Sequence, residues 1–225
     1  MGSSHASGCL AIVWLGALSG ACIFAQPLEM PAAYESGQPP RLKASHLKND
    51  DVVVLNDLHR AAEQGDARAQ NSLGEMALNG RGLDRDPVAA VAWFRQAALQ
   101  DELHAACNLA SLFRDGVGVE QDETEAVWWF RHAAEQGSIR AQTELALMIE
   151  AGRGVHQDDA DALRWLRRAA EQGDAAGQYE LALRYVSGRG VGTDKAQARK
   201  WLELSAQQAY APAQDFLRSG EEELK

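Results

Sequence analysis

The chain has 225 residues, 46% of them hydrophobic and 24% charged, which is the make-up of a folded protein and argues against disorder. A formal charge of −10 and an isoelectric point near 5.1 leave no basic footprint for a phosphate backbone, so nucleic acid is excluded as the expected partner. Acidity of this kind keeps a protein soluble and says little about its fold.

The first 25 residues contain no Lys, Arg, Asp or Glu, and Gly8 to Ala25 (GCLAIVWLGALSGACIFA) is apolar throughout. A run of that length ending in a small residue, followed at once by Gln26-Pro27, reads as a signal peptide over residues 1–25. No Lys or Arg precedes the run, so two other readings stand beside it: a retained membrane anchor, and a lipoprotein acylated at Cys22 within LSGAC. The expected location is periplasmic or secreted, with a membrane-anchored lipoprotein as the alternative. Of the three cysteines only Cys107 lies beyond this segment, so the body is expected to stand without an internal disulfide. Residues 26–49 hold four of the six prolines and no periodic apolar face, and read as a flexible linker.

From Asp50 the pattern changes. The phrase AAEQGDARAQ opens at Ala61, and close copies open at Ala97, Ala133, Ala169 and Ser205, always 36 residues apart. Each unit predicts two helices. In the first unit one spans about Asp66 to Asn79, with Ala69, Leu73, Gly74 and Ala77 on one face; the other spans about Pro87 to Gln100, with Ala90, Trp93, Phe94, Ala97 and Ala98 as its stripe. Later units refill that stripe around Trp129, Trp165 and Trp201.

The punctuation repeats as well. Gly80, Gly116, Gly152 and Gly188 stand where first helices end and a left-handed residue is wanted, and Gly82, Gly118, Gly154 and Gly190 follow to tighten the turn. Asp86, Asp122, Asp158 and Asp194 are placed to cap the second helices, with Glu125 and Gln197 at the capping-box position. Gly65, Gly137 and Gly173 close second helices, and Asp66, Ser138 and Asp174 cap the helices that follow. No such hairpin can bury its stripe alone, so the units must stack into a continuous core. Residues 50–218 are therefore expected to form an all-α αα-superhelix, a solenoid of four helix-pair repeats. The lone second helix before Gln64 and the lone first helix after Tyr210 are its half-repeat caps, and residues 219–225 are a charged tail.

The pattern A-x-A-Q-x-x-L-G/A … G-x-G-V/L … D … A-x-x-W-F/L-x-x-A-A-x-Q-G, from Ala61 to about Leu217, resembles the Sel-one-like repeat, a tetratricopeptide-like helix pair. The resemblance implies a right-handed superhelix that serves as a scaffold for protein partners, often in bacterial periplasmic or secreted proteins. It also implies that a disulfide-paired branch, to which lactam-directed activity has been attributed, is not the branch this cysteine-poor sequence fits.

The chemical motifs point to no reaction. The turns GRGLDR, GVGVEQ, GRGVHQ and GRGVGT follow helices and lack the third glycine of a nucleotide loop. His59, His104, His132 and His156 recur at no metal-ligand spacing, and Asp158, Asp159 and Asp161 lack the glycine and terminal glutamate of a calcium loop. Ser72 and Ser111 stand in no nucleophile elbow. No catalytic residue, cofactor or metal is expected.

Residues that depart from the repeat on wet faces are more telling. Trp128 stands where other units carry Ala92, Arg164 and Lys200, either as a partner anchor or stacked on Arg131 or Arg164. Leu147 and Leu183, with Tyr179 and Val186, are expected to line an apolar strip for a partner segment, unless the next repeat or the terminal cap covers them. The function these features predict is an exported scaffold that binds a protein in the bacterial envelope. An enzyme or ligand-binding protein acting on peptidoglycan or lactams is the alternative, and it needs a polar, partly buried constellation that no motif supplies.

Overall fold

The computed structural model describes residues 49–82 and 84–219. The expected signal peptide with Cys22, the expected linker up to residue 48 and the expected tail from residue 220 lie outside the described residues, while Asn49 opens the first helix and Ser219 closes the last.

Ten helices, and no strand, form among the described residues: α1 (Asn49–Glu63), α2 (Ala67–Asn79), α3 (Pro87–Ala98), α4 (Leu103–Asp115), α5 (Glu123–Glu135), α6 (Ile139–Ala151), α7 (Asp159–Glu171), α8 (Ala175–Ser187), α9 (Lys195–Gln207) and α10 (Ala211–Ser219). Each helix packs on its sequence neighbours. The pairs α2–α3, α4–α5, α6–α7 and α8–α9 are the four repeats, and α1 and α10 are the half-repeat caps.

Local chemistry sets the boundaries. Carboxylates of Asp66, Asp86, Asp122, Asp158, Asp174 and Asp194 accept backbone N–H bonds in the first turns of their helices, and Ser138 does the same for α6. Gly80, Gly116, Gly152 and Gly188 end the first helices at φ between 65° and 75°. The capping boxes do not form. The N–H groups of Asp122 and Asp194, which a capping box would use, already donate to Phe113 and Tyr185 carbonyls at 2.9 Å, and so bind each second helix back to the first.

The second glycine of the later three G-x-G turns does more than shorten the turn. A Cβ on Gly154 would stand 2.0 Å from the Glu123 carbonyl oxygen, one on Gly118 2.3 Å from that of Pro87, and one on Gly190 2.7 Å from that of Asp159. Each turn thus rests on the opening residue of the second helix one repeat earlier, at a separation that only glycine permits.

The repeated phrase is polar because it carries a buried hydrogen-bond ladder. Gln70, Gln142 and Gln178 are buried, and their amides donate to the carbonyls of Ala62, Ala134 and Ala170 at 3.0–3.2 Å. Their side-chain oxygens accept from Gln100, Gln172 and Gln208 at 2.7–3.0 Å, each one corner further along. Two corners replace glycine: Asp101 and Ala209 both hold φ near 61°, left-handed geometry that costs a residue with a Cβ about 1–2 kcal/mol. Ala209→Gly is expected to raise unfolding stability by about 0.5–1 kcal/mol, the strain relieved being partly offset by a freer unfolded chain; denaturant titration measures it.

Apolar stripes fill the space between these corners. Phe94, Phe113, Phe130, Leu145, Leu166 and Leu202 are fully buried, and so are the alanines around them. Trp93 and Trp129 are 2% and 4% exposed, while Trp165 and Trp201 are half-buried. Ion pairs join the third and fourth repeats: Arg184 lies between Glu150 and Glu180, and Arg189 reaches Glu150 at 2.8 Å and Asp159 at 3.3 Å.

Candidate functional site

Helix α5 carries two adjacent tryptophans with opposite fates. Ala126, Trp129, Phe130 and Ala133 fall on the helical stripe and are buried. Trp128, one residue earlier, is rotated about 100° away and remains 48% exposed. The Trp129 indole N–H donates to Glu125 at 3.0 Å, so the glutamate expected to close a capping box serves the tryptophan instead. Trp93, with Ala89 in place of that glutamate, leaves its buried indole nitrogen without a hydrogen-bond partner.

Burial raises the Glu125 carboxyl above the usual carboxylate range, only partly opposed by the Trp129 bond and the Arg95 charge. A raised folded-state value means a contribution to stability that is complete below the unfolded pKa and lost as pH rises through the folded one. Glu125→Gln, which keeps the acceptor for Trp129, is therefore expected to be more stable relative to the parent at pH 7 than at pH 4. Urea titrations at the two pH values check this.

Trp128 is held in place. Its ring stacks on His132 at 5.5 Å between centroids with 2° between planes, and meets Trp129 edge-on at 4.6 Å. The stacking partner is thus an imidazole one turn along, and not Arg131 or Arg164. His132 Nε2 lies 3.1 Å from Asp101 Oδ1, the same oxygen that accepts from Gln136 at 2.9 Å. Those two bonds, Gln136 first, hold the Asp101 carboxyl below its ordinary value. Their contribution is present above the ordinary carboxylate pKa and lost as pH falls through the folded one.

This cluster sits at a gap in the glutamine ladder. The second repeat carries Ala106 where the others carry Gln70, Gln142 and Gln178, so Gln136 has no ladder partner and turns to Asp101 and His132. The result is a fixed aromatic face beside a carboxylate, suited to an apolar or cationic side chain presented from outside.

The other expected contact residues divide. Leu147 on α6 and Leu183 on α8 share one register position and are half-buried. Tyr179 and Val186 pack into the C-terminal core with Tyr210, Phe216 and Leu217, and the Tyr179 and Tyr210 rings lie 5.6 Å apart. The half-repeat α10 needs an apolar seat, and α8 and α9 together supply it, so the four side chains do not form one open strip.

Cys107 is buried, its sulfur 3.3 Å from the Ser138 hydroxyl, and burial pushes its thiol up, away from reactivity. Among the described residues no group of three or more His, Cys, Asp or Glu is placed to hold a metal ion. None of the described helices is long and apolar enough to cross a membrane.

Comparison with known proteins agrees with this geometry. The Sel1 repeat model matches residues 67–102, 103–138, 139–174 and 175–210, in register with the four helix pairs. Among solved structures, c5321, described as a protective antigen present in uropathogenic Escherichia coli strains displaying an SLR fold, is 38% identical at a TM-score of 0.68. That match covers 71% of this chain and 34% of the antigen. A Sel1 repeat protein from Oxalobacter formigenes is 35% identical at a TM-score of 0.66, over 69% of this chain and 64% of its own. The chain thus spans about a third of the first relative and somewhat under two thirds of the second. No curated protein matches the sequence. With four in-register repeats over most of its described length, the chain belongs to the Sel1 repeat family, whose members generally mediate protein–protein interaction.

Proposed function

We propose that this protein is an exported, non-enzymatic scaffold that binds a protein of the bacterial envelope, with the Trp128 face as an anchor of the contact. The observation that carries the reading is the exposed Trp128 ring, held by His132 next to a buried twin on the same helix. A large aromatic left in water and already ordered loses little entropy on binding, which is the character of an interface hot spot. Leu147 and Leu183, half-buried on the first helices, and the uncovered edges of Tyr179 and Val186 are further candidate contacts. Support for export comes from the charge-free apolar run ending at Ala25.

Affinity capture of the tagged full chain from its native cells, with mass analysis of its amino terminus, tests this. The expected result is a chain beginning near Gln26 and an envelope protein that co-purifies with the parent. Trp128→Ala should reduce that capture at least tenfold while folding stability stays within about 1 kcal/mol. Capture undiminished by the substitution, or a chain retaining residues 1–25 in the cytosol, contradicts the proposal.

A further inference from the structure

Four departures from the repeat pattern converge beside α5. The corners after α1, α5 and α7 turn on Gly65, Gly137 and Gly173 at φ between 93° and 97°, whereas the corner after α3 turns on Asp101 at φ 61°. Ala106 stands where Gln70, Gln142 and Gln178 stand elsewhere. Trp128 and His132 stand where the third repeat has Arg164 and Arg168.

These residues form one chain of contacts. With no amide at position 106 to meet it, Gln136 donates to Asp101 Oδ1 at 2.9 Å. A carboxylate only accepts, so His132 Nε2 carries a hydrogen toward the same oxygen at 3.1 Å, and that bond sets the plane of the imidazole. The Trp128 ring lies within 2° of that plane, at 5.5 Å between centroids.

Folding alone does not call for an aspartate here. Glycine would adopt the left-handed angle without strain, and the Asp101 side chain is 67% exposed, where an ion pair contributes little. Strain by itself does not mark the corner either, because Ala209 holds the same φ of 61° with no polar side chain. What sets Asp101 apart is the acceptor it offers to His132. We infer that Asp101 is a positioning residue, which fixes the His132 imidazole and, through it, the plane of the Trp128 ring. A value of that ring to a partner rests on the anchor role proposed above, but its order is measurable without any partner.

The test labels the full chain with 5-fluorotryptophan and follows the fluorine resonance of Trp128, assigned by Trp128→Phe. Asp101→Gly is expected to move that resonance toward the position of free 5-fluorotryptophan and to leave those of Trp93 and Trp165 in place. Its melting temperature should stay level or rise, since relief of the left-handed angle offsets the two surface bonds. Asp101→Asn keeps an oxygen acceptor and tolerates the angle, so it should hold the Trp128 resonance near the parent position. Ala209→Gly relieves the same angle and should not move it. With the anchor role, Asp101→Gly also cuts capture of the envelope protein about threefold or more, as loss of preorganisation requires. A moved resonance combined with capture that Trp128→Ala leaves undiminished keeps the positioning role and sinks the anchor role. A Trp128 resonance unmoved by Asp101→Gly, or moved as far by Asp101→Asn, overturns the inference. So does an Asp101→Gly chain that melts lower and shifts every tryptophan, because Asp101 would then hold the fold and not the ring.

Discussion

Gly154→Ala is expected to destabilise the protein by about 3 kcal/mol or more, although it adds a single methyl group at a surface turn. Two effects combine. The residue holds φ of 68°, where a Cβ costs about 1–2 kcal/mol. The new Cβ would also lie 2.0 Å from the Glu123 carbonyl oxygen and 2.7 Å from the Thr124 nitrogen, so the turn must lift off the first residues of α5. Gly173 separates the two effects. It holds φ of 93° with nothing within 4 Å of its would-be Cβ, so Gly173→Ala is expected to lose only about 1 kcal/mol. Equilibrium denaturation of both variants measures the difference, which is the contribution of repeat-to-repeat contact. Equal losses would mean that Gly154 matters only for its backbone angle.

Trp129→Ala is expected to cost about 4 kcal/mol, among the largest losses available to one substitution here. The ring is 4% exposed, and its removal leaves both a cavity and a Glu125 carboxylate stripped of its indole donor. Trp128→Ala, one residue away, removes a ring of the same size at a cost within about 1 kcal/mol, because about half of that ring is already in water and its removal leaves no buried cavity. Thermal unfolding of the pair measures the contrast. A similar melting shift for both would place Trp128 in the core and remove the basis for its role as an anchor.

Features set by local chemistry were legible in the sequence. A capping carboxylate needs only the backbone N–H groups two or three residues ahead, and a left-handed turn needs only the absence of a Cβ, so Asp and Gly positions marked most of the boundaries. The tryptophan stripe was legible because a 3.6-residue period decides which side chains meet. Contacts across repeats were not. Gln142 reads as a polar helix residue, and only the fold brings Gln172 to it; Gly154 reads as a turn residue, and only stacking places Glu123 against it. The Trp128–His132 stack is within reach of the sequence, since i and i+4 share a helix face, but arginine is the commoner partner for an exposed indole. The pull of α10 on Tyr179 and Val186 depended on where the terminal half-repeat lands, which no local pattern states.

The protein is held together by hairpins stacked in order, each burying the stripe of its neighbour. Fluorine NMR of the protein labelled with 5-fluorotryptophan, titrated with a soluble paramagnetic agent, tests that most directly, with single Trp→Phe variants assigning the resonances. Trp128 should broaden first, Trp165 and Trp201 next, and Trp93 and Trp129 last. Broadening of Trp93 or Trp129 as early as Trp128 would show that the hairpins do not stack in this register.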